Sequence, residues 1–321
     1  MIQNIHLTRR WPNAVESDLE SLGKVVRNES DEPLSREELR HALQTAEIVC
    51  PTVTDQFDAE LLLGDQVKTR LLANFGVGFN HIDIEAAKHA GISVTNTPGV
   101  LTDATAEIAL NLLLSSARRT AEGERHVRAG AWVGWRPTHM LSTQVTGKTM
   151  GIVGAGRIGI AFARKVHHGL GMKILYTSRS EMPESVALEL SATRLDLNDL
   201  LSQSDFVSLH CPATPETRHL INAETLGQMQ GHAHLINTAR GDVVDEEALL
   251  DALQNQVIAG AGLDVYEQEP VLVPGLDTLD NVVLLPHMGS GTVETREAMG
   301  QCALRNVQAF LAGELLPNKV V

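Results

Sequence analysis

Apolar residues along the chain fall into short β-rich runs separated by longer stretches with helical spacing, the signature of βα units and a parallel sheet. In the first third these runs predict strands at 5–8, 24–27, 48–50, 71–74 and 92–94. A helix over 35–45 fits between two of them, because Ser35 can cap it and Glu38 follows three residues on, as in a capping box. Residues 102–120 are rich in Ala and Leu and unbroken by Pro or Gly, so they predict one long helix. The stretch Gly130-Ala-Trp-Val-Gly-Trp-Arg-Pro137 reads as an irregular arm. A second, stronger series follows, with strands at 149–153, 173–177, 206–210, 234–238, 258–263 and 282–285 and a closing helix over 293–311. No repeat of solenoid period interrupts this alternation.

Composition narrows the picture. At roughly 150 residues per domain, the 321 residues suggest two domains. Hydrophobic residues make up 43% and aromatic ones only 3%, so the core must be built from Leu, Val, Ile and Ala. Lys and Arg number 26 against 40 Asp and Glu, a formal charge of −14. That balance argues against a broad grip on nucleic acid or on an anionic membrane, and any anionic ligand must be held by local positive groups. Cys50, Cys211 and Cys302 are too few and too scattered for a disulfide framework or a zinc cage. The start of the chain shows no apolar leader core, and no run approaches the roughly 18 residues of a membrane span. A cytoplasmic protein is expected.

The strand at 149–153 leads into Gly154-Ala155-Gly156-Arg157-Ile158-Gly159, with a helical pattern directly behind it. Strand before and helix after are what a dinucleotide-binding glycine loop requires. Gly154 permits the tight turn, Gly156 lets backbone approach a pyrophosphate, and Gly159 lets the helix pack close. The helix N-terminus adds N–H groups and a positive dipole end. The next strand decides the cofactor. NAD-preferring sites usually end it with an acid for the ribose 2′-hydroxyl. Here Tyr176-Thr177 is followed by Ser178-Arg179-Ser180, with no acid until Glu181. An arginine flanked by serines suits a 2′-phosphate, so NADP(H) is preferred and NAD(H) is the second choice.

In open α/β sheets ligands bind beyond the carboxyl ends of the strands. By that rule Arg240, Glu269 and His287 all arrive at the edge that carries the glycine loop. The trio suits reduction of a 2-keto acid. Arg240 can hold the substrate carboxylate and carbonyl oxygen through its planar fork. His287, as imidazolium, can protonate the carbonyl oxygen while hydride arrives from a nicotinamide. Glu269, ionised and hydrogen-bonded to the ring, would orient His287 and favour its charged form. Other polar clusters carry less. His167 and His168 are adjacent on a helix, so their rings should point apart. His232 and His234 could share a strand face but lack a third ligand. Asp242, Asp245, Glu246 and Glu247 read as first-turn acids of a helix. No metal is expected.

With these residues in view the chain resembles the D-2-hydroxyacid dehydrogenase family, and within it the glyoxylate/hydroxypyruvate reductases. The resemblance covers essentially the whole chain. Its most specific segments are Asn74-Phe-Gly-Val-Gly-Phe-Asn-His-Ile-Asp83, the glycine loop, Asn237-Thr-Ala-Arg-Gly-Asp-Val-Val244, Gly262-Leu-Asp-Val265 with Glu269-Pro270, and Pro286-His-Met-Gly-Ser290. It implies an α/β fold of two doubly wound parallel-sheet domains. A Rossmann dinucleotide-binding domain, 102–290, would be inserted in a discontinuous flavodoxin-like substrate-binding domain, 1–101 and 291–321, with the active site in the cleft between them. By the same resemblance Val77 and Gly78 would offer backbone N–H groups to the substrate carboxylate. Thr105 would touch the cofactor phosphates and Asp264 the nicotinamide carboxamide. Arg157, Ile158, Thr238, His287 and Gly289 would complete the cofactor site. The Trp-rich arm resembles the arm that pairs homodimers in the family, with Trp135 reaching the partner's site. The segment His167-His-Gly-Leu-Gly-Met172 is one residue longer than the family's commonest form and resembles a branch that includes 2-ketogluconate reductases. NADPH-dependent reduction of glyoxylate and hydroxypyruvate is therefore the expectation, with 2-ketogluconate as the alternative substrate. A dinucleotide-sensing corepressor of the same fold ranks below both, because no peptide-binding extension or basic region is read.

Overall fold

In the computed structural model, which describes residues 4–321, the strand–helix alternation builds two parallel sheets. They belong to two units, one made of the residues up to Leu101 together with Gly291–Val321, the other of Thr102–Ser290.

In the first unit the order along the chain is β1 (Asn4–Leu7), α1 (Asn13–Glu20), β2 (Lys24–Arg27), α2 (Arg36–Thr45), β3 (Ile48–Cys50), α3 (Ala59–Leu62), β4 (Leu71–Ala73), α4 (Ile84–His89) and β5 (Ser93–Thr95). The strands lie side by side as β2-β1-β3-β4-β5, every pair parallel, which is the flavodoxin-like order. Ile-Val-Cys of β3 and Leu-Leu-Ala of β4 are buried throughout, as strands covered on both faces must be. Ile5, Leu7, Ile48 and Leu71 pack with Val15 and Leu19 of α1 and with Met299, Ala303 and Val307 of the closing helix Val293–Ala312. That helix comes close because Gly300 has no side chain; a Cβ there would lie 2.7 Å from Val15 Cγ2. The opposite face packs Val49, Leu72 and Val94 against Leu39 and Leu43 of α2. The predicted capping box at Ser35 and Glu38 is present.

The second unit runs α5 (Thr102–Ala117), α6 (Thr120–Arg128), β6 (Thr149–Val153), α7 (Arg157–Leu170), β7 (Lys173–Thr177), α8 (Glu184–Glu189), β8 (Thr193–Arg194), α9 (Leu197–Gln203), β9 (Phe206–Leu209), α10 (Ala223–Gln228), β10 (His234–Asn237), α11 (Glu246–Gln254), β11 (Gly260–Leu263) and β12 (Val282–Leu284). Its strands are ordered β12-β11-β10-β9-β6-β7-β8, all parallel. The chain therefore leaves the middle of the sheet in both directions, and the switch point lies between β6 and β9. The two faces carry separate cores, one built on Leu200, Val207, Leu235 and Leu249, the other on Leu112, Ile152, Phe162 and Ile236.

The long helix predicted over 102–120 stops at Ala117. Arg119 takes a left-handed conformation (φ 54°) and starts α6. Its guanidinium binds both oxygens of Glu122 at 2.7 Å and the Leu141 carbonyl at 3.0 Å, contacts that offset an unfavourable backbone. Strand β8, two exposed residues at the sheet edge, was not anticipated. Residues 131–148 contain no helix or strand, and Trp132, Val133, Trp135 and Leu141 stand exposed there.

Candidate functional site

The carboxyl ends of all seven strands of the second unit point to one edge, and the chemistry collects there. At the centre, β6 ends in Gly154 with φ 100°, and a Cβ on it would press on the His210–Cys211 peptide beyond β9, 2.6 Å from the Cys211 nitrogen. A Cβ on Gly159 would overlap the Gly154 carbonyl, so the first turn of α7 lies directly on the loop. Gly156 differs. It caps α7 without a side-chain bond, and a Cβ on it would meet nothing within 4 Å. The N–H groups of Arg157, Ile158 and Gly159 have no preceding carbonyl within the helix. Two glycines thus enforce a close-packed turn while the third leaves space before open amides, which fits the pyrophosphate of a dinucleotide.

Beyond β7, Ser178 is half-buried, while Arg179 and Ser180 are exposed. Arg194, on edge strand β8, donates to the Ser178 carbonyl at 2.8 Å and to Glu181 at 3.1 Å. The first acid after β7 is thereby tied to a cation.

The adjacent ends of β10, β11 and β12 bring the polar trio together. Buried Asn237 shapes the turn after β10: its Nδ2 donates to the Arg240 carbonyl at 2.9 Å and its Oδ1 accepts from Ala239 N–H at 3.0 Å. Thr238 is buried, and its hydroxyl has no partner among the described residues. Gly241 lies so close to the next loop that a Cβ would overlap the Tyr266 carbonyl. After β11, buried Asp264 accepts the Met288 N–H at 2.8 Å, and burial pushes its carboxyl up. A Cβ on Gly289 would lie 3.2 Å from Asp264 Oδ2 and 3.4 Å from Thr105 Cγ2, so these three surround one spot. The buried Thr238 hydroxyl and the close approach of Gly289 to Asp264 and Thr105 suit the remainder of a dinucleotide.

Glu269 uses both oxygens. Oε1 accepts the Tyr266 N–H at 3.1 Å, and Oε2 lies 2.7 Å from His287 Nδ1. Burial works to raise the Glu269 carboxyl but is outweighed by the hydrogen bond and charge of His287, the Tyr266 amide and the Arg240 charge, which hold it below its ordinary value. His287 itself sits at φ 51°, a left-handed conformation a non-glycine residue adopts at a cost of about 1–2 kcal/mol. Arg240 Nη1 donates to the Ala239 carbonyl at 2.6 Å; burial lowers its pKa against the pull of Glu269 and Asp242.

In the first unit, the loop after β4 is held by asparagines. Asn74 Nδ2 donates to the carbonyls of Gly76 (3.1 Å) and Gly78 (2.9 Å), and Asn96 Nδ2 donates to that of Val77 (2.9 Å). His81 Nε2 bonds Asn74 Oδ1 at 3.1 Å. With the carbonyls engaged, the Val77 and Gly78 amides make no backbone bond among the described residues.

Residues 110–289 match the family model described as D-isomer specific 2-hydroxyacid dehydrogenase, NAD binding domain. The chain belongs to the D-isomer specific 2-hydroxyacid dehydrogenase family. A glyoxylate reductase of Thermococcus litoralis is 45% identical over 324 residues, covering 100% of this chain and 97% of that protein. Among solved structures, a glyoxylate reductase from Paecilomyes thermophila superposes with a TM-score of 0.86 at 32% identity, covering 99% of this chain and 98% of that one. An NADPH-dependent glyoxylate/hydroxypyruvate reductase from Sinorhizobium meliloti, in complex with NADP and malonate, gives 0.86 at 32%, covering 100% and 97%.

In this dehydrogenase the strand-end rule brings Glu269 and His287 into direct contact, with the Arg240 turn packed on the Tyr266 peptide. It gave no sign of Arg194, Asn96 or Glu246, whose partners lie beyond neighbouring strands, nor of Asn237, whose side chain closes its own turn. Other expectations are corrected. The His167 and His168 rings do not point apart; their centroids lie 5.0 Å apart, edge to face. Each follows its own partner, His167 the Met172 carbonyl at 2.9 Å and His168 Glu189 at 3.1 Å. His232 precedes β10 and bonds Asp205 at 2.7 Å, whereas His234 lies in the strand and bonds Ser116 Oγ at 2.8 Å, so the two do not share a strand face. Asp245 caps α11, and Glu246 and Glu247 form its first turn, but Asp242 falls in a separate 3-10 turn. No group of three His, Cys, Asp or Glu among the described residues could hold a metal ion. No helix of the described residues is long and apolar enough to cross a membrane.

Proposed function

We propose that this dehydrogenase reduces small 2-keto acids, glyoxylate and hydroxypyruvate, to D-2-hydroxy acids with NADPH as cofactor. The observation that carries the reading is the 2.7 Å contact between His287 and Glu269 beside the Arg240 turn, on the strand edge that holds the glycine loop. A bound nicotinamide supplies the hydride. His287, its Nδ1–H held by Glu269, gives its second ring proton to the carbonyl oxygen as charge develops there. Arg240 holds the carboxylate and carbonyl oxygen of the substrate, and the Val77 and Gly78 amides take the carboxylate from the first unit. Gly154, Gly156, Arg157, Ile158 and Gly159 cradle the pyrophosphate, Thr105 touches the phosphates, and Thr238, Asp264 and Gly289 accommodate the nicotinamide end.

Preference for NADPH is supported by Ser178, Arg179 and Ser180 after β7 and by the tie of Glu181 to Arg194. Exposed Trp132, Val133, Trp135 and Leu141 fit burial against a second copy in a homodimer, with Trp135 directed at the partner's substrate. Three free cysteines fit a reducing, cytoplasmic location. The test is NADPH and NADH oxidation with glyoxylate, hydroxypyruvate, pyruvate and 2-ketogluconate. Turnover fastest with NADPH and with glyoxylate and hydroxypyruvate is expected. No turnover with any of the four refutes the reading.

A further inference from the structure

One buried carboxylate beside the site has no part in the chemistry above. Glu246, the first residue of α11, is 2% exposed, and its Oε1 accepts the Glu267 N–H at 2.6 Å. Burial works to raise its carboxyl against the pull of that amide, and the negative charges of Glu267 and Glu269 add to the rise. A carboxylate so placed is unfavourable unless its contacts return something.

What it holds is the Tyr266–Glu267 peptide, and Tyr266 itself touches the segments that follow β10, β11 and β12. Its carbonyl lies against Gly241, next to Arg240. The Tyr266 N–H donates to Glu269 Oε1 at 3.1 Å. The Tyr266 hydroxyl donates to the Leu285 carbonyl at 2.7 Å, two residues before His287. On its outer side Glu267 Oε1 bonds Arg218 at 3.0 Å and His219 at 2.8 Å, so the loop is braced from both flanks.

We infer that Glu246 is a positioning residue for the reduction: by holding the Tyr266–Glu267 peptide it keeps Glu269 in line with His287. The inference rests on the roles proposed above for Glu269 and His287. A displacement near 1 Å of a reacting group lowers a rate by roughly a hundredfold, so losing this anchor should act on the chemical step. Glu246 and the peptide it holds lie outside the residues proposed to contact the dinucleotide, so dinucleotide affinity should stay as it is.

The test compares wild type, Glu246→Ala, Glu246→Gln and His287→Ala in steady-state reduction of glyoxylate by NADPH, with thermal melting to score folded protein. Glu246→Ala should lower kcat by roughly tenfold or more with KM for NADPH within about twofold. Glu246→Gln keeps an acceptor of the same shape and should recover at least about a third of the wild-type kcat. A kcat for folded E246A within about twofold of wild type, a Gln variant no better than the Ala variant, or a parallel rise in KM for NADPH overturns the inference. Should E246A not fold, Glu246→Asp withdraws the acceptor by one methylene and carries the same expectation and the same refutation. Retention of full kcat by H287A instead removes the proposed mechanism. An inactive H287A beside a normal E246A removes only the role of Glu246.

Discussion

Replacing Glu269 by Gln tests the centre of the mechanism, because it exchanges one atom and removes one charge. The carboxylate lies 2.7 Å from His287 Nδ1, and Tyr266 N–H fixes its other oxygen. A hydrogen bond to a charged group contributes about 1.5–3 kcal/mol. The two side chains are 30% and 31% exposed, so solvent screening places the effect near the lower end, about 1.5 kcal/mol. That corresponds to about a tenfold change in rate. Since His287 is the proposed proton donor, loss of this contact should lower kcat for reduction by about tenfold. Glu269 titrates below the ordinary carboxylate range, so the wild-type profile should show no acid limb from this group until pH falls below about 4.5. Steady-state oxidation of NADPH across pH 5–9, at saturating glyoxylate, reads kcat and should show no acid limb from Glu269. A Glu269→Gln kcat within about threefold of wild type would show that the contact has no part in proton transfer.

Three further outcomes are expected. His287→Ala should lower kcat by roughly 10²–10⁴, the usual contribution of a positioned acid, and a near-normal kcat excludes it from the mechanism. Arg179→Asp should raise KM for NADPH far more than KM for NADH; equal losses contradict the 2′-phosphate assignment. Burial pushes His234 down to about 4 and His210 to about 3, from 6.5. The unfolded chain therefore binds protons that the native state refuses. Stability is complete above about 6.5 and declines as pH falls toward the folded values. Melting temperature should drop between about pH 6.5 and 4, less steeply in His234→Gln, and identical slopes in the two proteins refute the assignment to His234.

The fold was legible because the central strands of both sheets are buried on both faces, which turns them into continuous apolar runs with sharp ends. β2, β3, β6 and β7 match their expected bounds. Several others ran one residue past the strand, onto Asn74, His210, Thr238 and Leu285. These residues are still extended: His210 N–H bonds the Val153 carbonyl at 2.7 Å and Leu285 N–H that of Leu263 at 2.8 Å. Their side chains, however, belong to the functional loops. The placement of Arg240, Glu269 and His287 at one sheet edge was legible for the same reason, since each follows a strand. Arg194 was not, because a two-residue edge strand has no pattern to find. Glu246 was not, because its partner lies 21 positions away on a loop that meets it only through the order of β10 and β11. Arg119 was not, because nothing in an Ala/Leu-rich run without Gly or Pro foretells a left-handed residue.

A chain at −14 proposed to take a phosphorylated dinucleotide and a carboxylate must overcome its own field. The donors proposed for those anions are mostly backbone amides: those after Gly156 and those of Val77 and Gly78. Amides supply partial positive charge without a counter-ion to desolvate and without titrating. Full charges enter only at Arg240 and Arg179, and the nearby acid that would oppose Arg179 is tied to Arg194. Glu269 is the exception, an anion kept at the reacting edge, and His287 beside it holds its carboxyl down. The negative total thus leaves the anion sites workable, because fixed dipoles act over the few ångströms that matter while the remote acids are screened within a Debye length of about 8 Å.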